Sequence, residues 1–414
     1  LLFFFFPILF GTFFQQLYNT ADAMIVGNFV SVEALGAVGG TTSSIINFFI
    51  GIFVGLSSGF GVIIAQHFGA GQKKVLRECI HTAISFALFT GVIISIFGFF
   101  FSRTALSYMN VPETMFPLAL SYMQLYFLGM LPNLVYNMGA AILRAVGDSR
   151  TPLLFLIISC FSNIGLDILF VIYLHMGVRG AAFATVISQI ISALLILYVL
   201  SRSKTIPRLR LTCLHINPRE LAKMLNIGSA AGMQSAMYTL ANIIIQAAIN
   251  TLGTTVIAAW TAYGKIDTLF WMTMQSLGIA ITTFISQNFG FGNRQRVKAG
   301  MKAGLFLAVL ATLIPMGILY FFGIIILRIF TNHQDVLAMG QSITHFLVLA
   351  YPAYILIEVC SDSLRGIGDS WIPMIMTASG VCILRIIWVI VSMHFFPSLF
   401  FILSAYPISW VVTS

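Results

Sequence analysis

One pattern occurs twice in this chain, in a single register. Leu143, Arg144, Gly147, Asp148, Ser149 and Pro152 recur as Leu364, Arg365, Gly368, Asp369, Ser370 and Pro373. Upstream, Gln66, Phe68, Gly69 and Gly71 recur as Gln287, Phe289, Gly290 and Gly292, and the offset is 221 residues in both cases. Two separated matches at one offset indicate two homologous halves of similar length. The fold must then be one unit built twice. In a membrane protein such halves usually flank a site and move against each other.

Polarity decides what kind of unit it is. Hydrophobic residues make up 59% of the chain and charged residues only 8%, against roughly 25% charged in soluble domains. Apolar stretches near the ~20 residues that span a bilayer recur throughout. No apolar/polar alternation persists over ~10-residue segments, which argues against a transmembrane barrel. The expected class is an all-α polytopic membrane protein.

Apolar runs between polar breaks fall near 1–29, 35–66, 77–101, 114–143, 151–174, 178–200, 221–250, 255–287, 297–326, 336–364, 372–396 and 399–414, giving twelve transmembrane helices. The polar stretch 201–219, with Pro207, Pro218 and five arginines and lysines, reads as a linker between an N-terminal six-helix lobe (1–200) and a C-terminal one (220–414). An even number of spans per half makes the repeats parallel. The chain begins without methionine inside an apolar run and stops early in its last span, so both ends read as clipped.

The formal charge of +9 does not imply a nucleic-acid partner, because its cations sit in short loops. Sixteen of the 21 lysines and arginines lie in or beside even-numbered connections, at Lys73, Lys74 and Arg77, around Arg144 and Arg150, from Arg202 to Lys223, from Arg294 to Lys302 and at Arg365. Odd-numbered connections hold Arg103, Arg179 and Arg328, while Lys265 and Arg385 fall within spans. The positive-inside rule therefore predicts cytoplasmic even loops and cytoplasmic termini in the cell membrane. The five cysteines are scattered, and no CxxC or Cys/His cluster is visible. Neither disulfides nor a metal site is expected, and His67, His81 and His345 read as loop or packing residues.

Both duplicated motifs have a structural reading. Gln-x-Phe-Gly-x-Gly ends the second span of each lobe, where glycines permit a tight exit. In Leu-Arg-x-x-Gly-Asp-Ser-x-x-Pro, Asp148 or Ser149 can cap the fifth span, Pro152 suits its first turn and Arg144 can reach the closing carbonyls of the fourth.

Acids at membrane depth are costly and therefore point to function. Asp22, Asp167, Glu358 and Asp362 stand out, while Asp267 is expected to pair with Lys265 two residues away. At the same offset Asp22 becomes Ile243, Asn163 becomes Leu384, Asp167 becomes Trp388 and Thr185 becomes Tyr406. One lobe thus builds these positions without carboxylates. Asn163 and Asp167, four apart, share a helical face. With Asp22 and Thr185 they suit a proton or a small hard cation such as Na⁺; the other reading is a hydrogen-bond network that locks helices together. Tyr126, Tyr136, Met272 and Met274, with Phe270 and Trp271, suit either an apolar cavity for organic cations or ordinary packing.

These residues resemble the multidrug and toxic compound extrusion (MATE) family of secondary transporters. The resemblance covers essentially the whole chain. It rests on Pro7, Gln15, Tyr18, Asp22 and Val26-Gly27, on the two duplicated motifs, and on Asn163-x-x-x-Asp167 with Thr185. It implies two six-helix lobes in a V around a cavity, and export of drugs driven by H⁺ or Na⁺. It also implies a cation-responsive site at Asp22, Asn163, Asp167 and Thr185 adjoined by Tyr18, a first-helix bend at Pro7, and a cavity to which Gln15 and Glu358 are candidates. One branch of the family uses an acid in the seventh span and another in the tenth for Na⁺. Here 221–250 holds no acid, so the chain looks closer to the branch of DNA-damage-inducible efflux proteins.

The expected function is thus a cation-coupled antiporter, acting as a monomer on amphipathic or cationic organic compounds, with no cofactor and no enzymatic activity. The alternative is a flippase for lipid-linked saccharides. An intramembrane enzyme would need a nucleophile–base pair or a metal cluster, and neither is visible.

Overall fold

The computed structural model describes residues 1–109, 111–329, 331, 333–395 and 398–414, and of Val32 and Thr41 the backbone alone. Among the described residues the chain is helical, without strands. The first part comprises α1 (Leu2–Phe29), α2 (Val32–Gly39), α3 (Thr41–Gly69), α4 (Lys73–Tyr108), α5 (Phe116–Leu128), α6 (Met130–Ala145), α7 (Arg150–Asp167) running into a π turn (Ile168–Tyr173), and α8 (Gly177–Arg202). After a 3-10 turn (Leu211–Cys213) follow α9 (Pro218–Asn250), α10 (Thr254–Gly290), α11 (Arg294–Leu327), α12 (Gln334–Val348) and α13 (Tyr351–Ile367). The chain closes with α14 (Trp371–Met376), a second π turn (Thr377–Ile383), α15 (Leu384–Phe395), α16 (Leu399–Leu403) and α17 (Ala405–Thr413).

Each of the twelve apolar segments coincides with a helix or with a helix broken in place. Seven of the described helices are long and apolar enough to cross a membrane, and nine qualify when two bent pairs each count as one span. The bent pairs are α5–α6, at 46°, and α12–α13, at 48°. Sequence polarity reads both as single runs; proline chemistry breaks them. Pro132 and Pro352 each follow by four residues the last residue of the preceding helix, Leu128 and Val348. Lacking an N–H, each proline leaves that carbonyl without its helical partner, and the axis turns there. Pro7, by contrast, sits inside an unbroken α1.

Large apolar side chains point outward from the long helices; Phe100 is 75% and Phe321 76% exposed. Such surface is costly in water and matches a lipid surround.

Both duplicated motifs are helix ends of one geometry. Gly71 (φ 68°) and Gly292 (φ 80°) close α3 and α10 in the left-handed region, with Gln72 and Asn293 N–H groups donating to His67 and Asn288 carbonyls. Gly147 (φ 94°) and Gly368 (φ 104°) do the same after α6 and α13. Only glycine adopts such φ without strain, so the sequence repeats because the turn repeats. Asp148 Oδ1 accepts from the Arg150 and Thr151 N–H groups, and Asp369 Oδ1 from that of Ile372. Ser149 makes no side-chain cap bond.

The chain divides into compact units at Leu2–Ser229 and Ala230–Ser414, a boundary inside α9 rather than in 201–219. That segment is packed, not free. Ile206 and Leu209 are buried, the Arg210 N–H donates to His81 Nε2 (3.2 Å), and the Asn217 N–H to Thr82 Oγ1 (3.0 Å). Gly59 and Gly228 let the α3 and α9 backbones touch, and a Cβ on either would collide with the other helix. The beginning of α9 is therefore part of the first unit.

Candidate functional site

In the first unit α1 packs on α7 and α8, and the polar residues expected from sequence meet where these three helices do. Asp22, Asn163, Asp167, Thr185 and Tyr18 are all buried. Thr185 Oγ1 lies 2.9 Å from Asp22 Oδ2 and 3.0 Å from the Ala181 carbonyl. It carries a single hydrogen, so it donates to one or the other. Asp22 also faces Asp167 and Asn163. Asp167 is the last residue of α7, at the mouth of the π turn. π turns inside helices are frequent at functional sites.

Satisfaction of these groups is incomplete. Although Asn163 and Asp167 approach Asp22, no hydrogen bond of good geometry forms at Asp22 Oδ1, at either carboxylate oxygen of Asp167, or at Asn163 Oδ1 and Nδ2. A buried polar atom left so costs about 1–3 kcal/mol. Two facing carboxylates carry no hydrogen of their own to share. The donor set is oxygen-rich and hard, which fits a proton or Na⁺ rather than a soft metal. A purely structural lock would be expected to satisfy its own members.

Two neighbours, Tyr122 and Gln189, were not expected from sequence, while Tyr126 was. Tyr122 and Tyr126 stand close enough to feel the Asp22 charge, with their rings 5.9 Å apart. Gln189 faces Tyr126, and both of its amide atoms lack a hydrogen-bond partner of good geometry. The signal was available: Tyr122 precedes Tyr126 by four residues and Gln189 follows Thr185 by four, which puts each pair on one helical face. Gln15 is half-buried and faces Tyr18.

Other sequence-named residues lie apart from the cluster or pack elsewhere. The Tyr136 hydroxyl donates to the Pro152 carbonyl (3.0 Å), tying α6 to α7. Met274 is buried against α11, its sulfur 3.7 Å from Thr312 Oγ1, and Met272 is buried one turn away from Ser276. These contacts are packing contacts. Glu358 is half-buried and accepts from Tyr354 Oη at 2.7 Å.

The second unit surrounds its acids with donors. Asp267 accepts from Tyr351 Oη (2.6 Å), Trp271 Nε1 (2.8 Å) and Tyr263 Oη (3.1 Å). No ion pair joins it to Lys265 among the described residues, which corrects the expected pairing. Residues two apart on a helix point to different faces, whereas Tyr263 and Trp271 lie four away on its own face. Phe270 stacks on Tyr351 at 3.9 Å and 3°. Asp362 pairs with Arg365 (2.7 Å) and with Thr282, and Arg365 also donates to Gln234 (2.9 Å). Arg385 is buried over the Tyr406 ring at 4.3 Å and bonds Ser409.

The expectation of no Cys/His cluster does not survive the fold. His67, Cys79 and Glu220 bring ligand-type atoms within 4.8 Å of one another. Sequence separations of this size carry no local motif.

The MatE family model matches residues 7–169 and, a second time, 230–391. The two matched stretches follow the internal repeat. The probable multidrug resistance protein YpnP of Bacillus subtilis is 28% identical over 383 residues, covering 92% of this chain and 84% of its own. The probable multidrug resistance protein NorM of Thermotoga maritima is 24% identical over 392 residues, covering 92% and 82%. A solved MATE structure in the bent conformation superposes with a TM-score of 0.92 over 100% of this chain and 92% of that one, at 22% identity, and so shares the fold. With both of its halves matched by one family model, the chain belongs to the MatE family of membrane transporters.

Proposed function

We propose that this chain is a multidrug efflux antiporter, and that H⁺ or Na⁺ entry drives it through Asp22, Asn163, Asp167 and Thr185. The names of its relatives support the substrate class. The observation that carries the coupling is the set of buried carboxylate and amide atoms without chain partners. Such a site holds a cation or proton in one state and releases it in another, and only unequal affinity between the states does work.

Thr185 supplies a route from cation to helix. With Asp22 ionised, its oxygen is the stronger acceptor and takes the Thr185 hydrogen, holding α1 to α8. Protonation or Na⁺ binding weakens that acceptor, and the hydroxyl turns to the Ala181 carbonyl 3.0 Å away. α1 is then released on the face that carries Asp22, with Pro7 already removing one ladder bond upstream. Substrate affinity falls, and deprotonation toward the cytoplasm restores it. The flippase reading is not favoured: a pyrophosphate cargo calls for clustered cations, and Arg385 is committed to Ser409 and two aromatic rings.

Dye efflux from proteoliposomes under separately imposed proton and sodium gradients tests the proposal. Efflux should follow one gradient in the parent and neither in Asp22→Asn. Efflux that needs no cation gradient would remove the coupling. Orientation has a native reporter, because Cys213 in the 201–219 segment is exposed while Cys79, Cys160 and Cys382 are buried and Cys360 is half-buried within α13. An impermeant maleimide should label Cys213 from the cytoplasmic face only; labelling from outside would reverse the topology.

A further inference from the structure

His67 lies in the last turn of α3, Cys79 in the second turn of α4 and Glu220 in the first turn of α9, all at one end of the first unit. We propose that His67, Cys79 and Glu220 form a binding site for a zinc-like divalent metal ion.

The geometry is near what such an ion requires. His67 Nε2 is 3.1 Å and Cys79 Sγ 3.7 Å from the same oxygen, Glu220 Oε2. A tetrahedral zinc with ordinary Zn–N, Zn–O and Zn–S bonds sets its ligand atoms about 3.3–3.6 Å apart. Both separations fall within a few tenths of an ångström of those edges, and the third pair lies within 4.8 Å, so side-chain rotation closes the set. Nitrogen, thiolate and carboxylate together suit zinc and its neighbours better than Mg²⁺ or Ca²⁺.

The surroundings orient the ligands. His67 Nδ1 lies 2.8 Å from Gln72 Oε1, an acceptor, so Nδ1 carries a proton there and, in the neutral ring, Nε2 presents its lone pair to Glu220. This is the partner that metal-ligating histidines typically have. The arrangement then points a lone pair at a carboxylate, which demands an extra proton or a cation. A divalent ion meets the demand, displacing the thiol proton; with thiolate and carboxylate the site is neutral. Lys223 occupies the other Glu220 oxygen, at 2.7 Å, and is half-exposed, so its charge stays on the solvent side. The repeat again shows that the scaffold does not need these side chains: at the same offset His67 becomes Asn288 and Cys79 becomes Gly300. A bound ion would tie the beginning of α9, where the chain leaves the first unit, to the α3–α4 turn.

Cobalt is the probe. Full-length protein, stripped with chelator in detergent, should develop thiolate-to-Co²⁺ charge-transfer absorption that saturates at one equivalent and is displaced by Zn²⁺. Cys79→Ser should abolish it, and Cys213→Ser should leave it unchanged. His67→Gln and Glu220→Gln should weaken Co²⁺ at least about tenfold, and Gln72→Ala by about 10–100-fold. Absence of the absorption in the parent, or its loss in Cys213→Ser with retention in Cys79→Ser, overturns the proposal. Should Cys79→Ser not fold, Glu220→Gln and Gln72→Ala decide it: unchanged cobalt affinity in both overturns the site.

Discussion

In the first unit Asp22 and Asp167 are buried with three of their four carboxylate oxygens lacking a chain partner, whereas in the second Asp267 takes three donors and Asp362 an arginine and a threonine. The offset makes the contrast sharper. Asp22 and Asp167 correspond to Ile243 and Trp388, while Asp267 and Asp362 correspond to Ile46 and Ala141. One duplicated scaffold has acquired two sets of buried acids at unrelated positions. Those of the second unit are largely satisfied by tyrosine, tryptophan and arginine, with one oxygen, Asp362 Oδ2, left without a partner. Those of the first lack such partners, as the proposed uptake and release of a proton or Na⁺ requires.

Efflux should break along this line. Asp167→Asn is expected to reduce gradient-driven efflux to background while leaving expression and melting temperature near parental, because its oxygens hold no chain partner to lose. Asp267→Asn should fold less stably yet keep efflux per folded molecule. The comparison fails if Asp267→Asn stops transport in a folded protein and Asp167→Asn does not.

Stability should break the opposite way. Arg365→Ala leaves Asp362 charged and buried without its partner, a change that costs about 3–5 kcal/mol. Lys223→Ala removes an ion pair whose cation is half-exposed and should cost no more than about 1 kcal/mol. Thermal melts in detergent rank the two, and equal shifts would mean that the Asp362–Arg365 pair is well hydrated.

The smallest effect tests what the units share. Gly71→Ala and Gly292→Ala each force a side chain to positive φ, at about 1–2 kcal/mol. The shifts should match, since the turns match; a large difference would show that one exit does more than end a helix.

Much of this was legible in the sequence. The repeat reports paired helix exits because a positive φ admits so few residues, and Asp22, Asn163, Asp167 and Thr185 announce themselves because polar groups are rare in apolar spans. The unread part is that which long-range packing decides. Tyr351 reaches Asp267 from 84 residues away, and no spacing rule pairs them. Pro132 and Pro352 lie in runs whose polarity is uniform, so the breaks before them are invisible to hydropathy. His67 and Glu220 belong to α3 and α9, whose backbones meet at Gly59 and Gly228, a crossing no local spacing announces.

Cation uptake at the proposed Asp22–Asp167 site should lower substrate affinity. Substrate affinity measured from about pH 8 down to about pH 5, through the range where a shared proton would be gained, tests it directly. Affinity should fall on acidification in the parent and stay flat in Asp22→Asn. If both proteins respond to pH alike while sodium alone changes affinity, the proton version is contradicted and the site is a Na⁺ site; if neither ion changes affinity in the parent, the coupling claim itself is wrong.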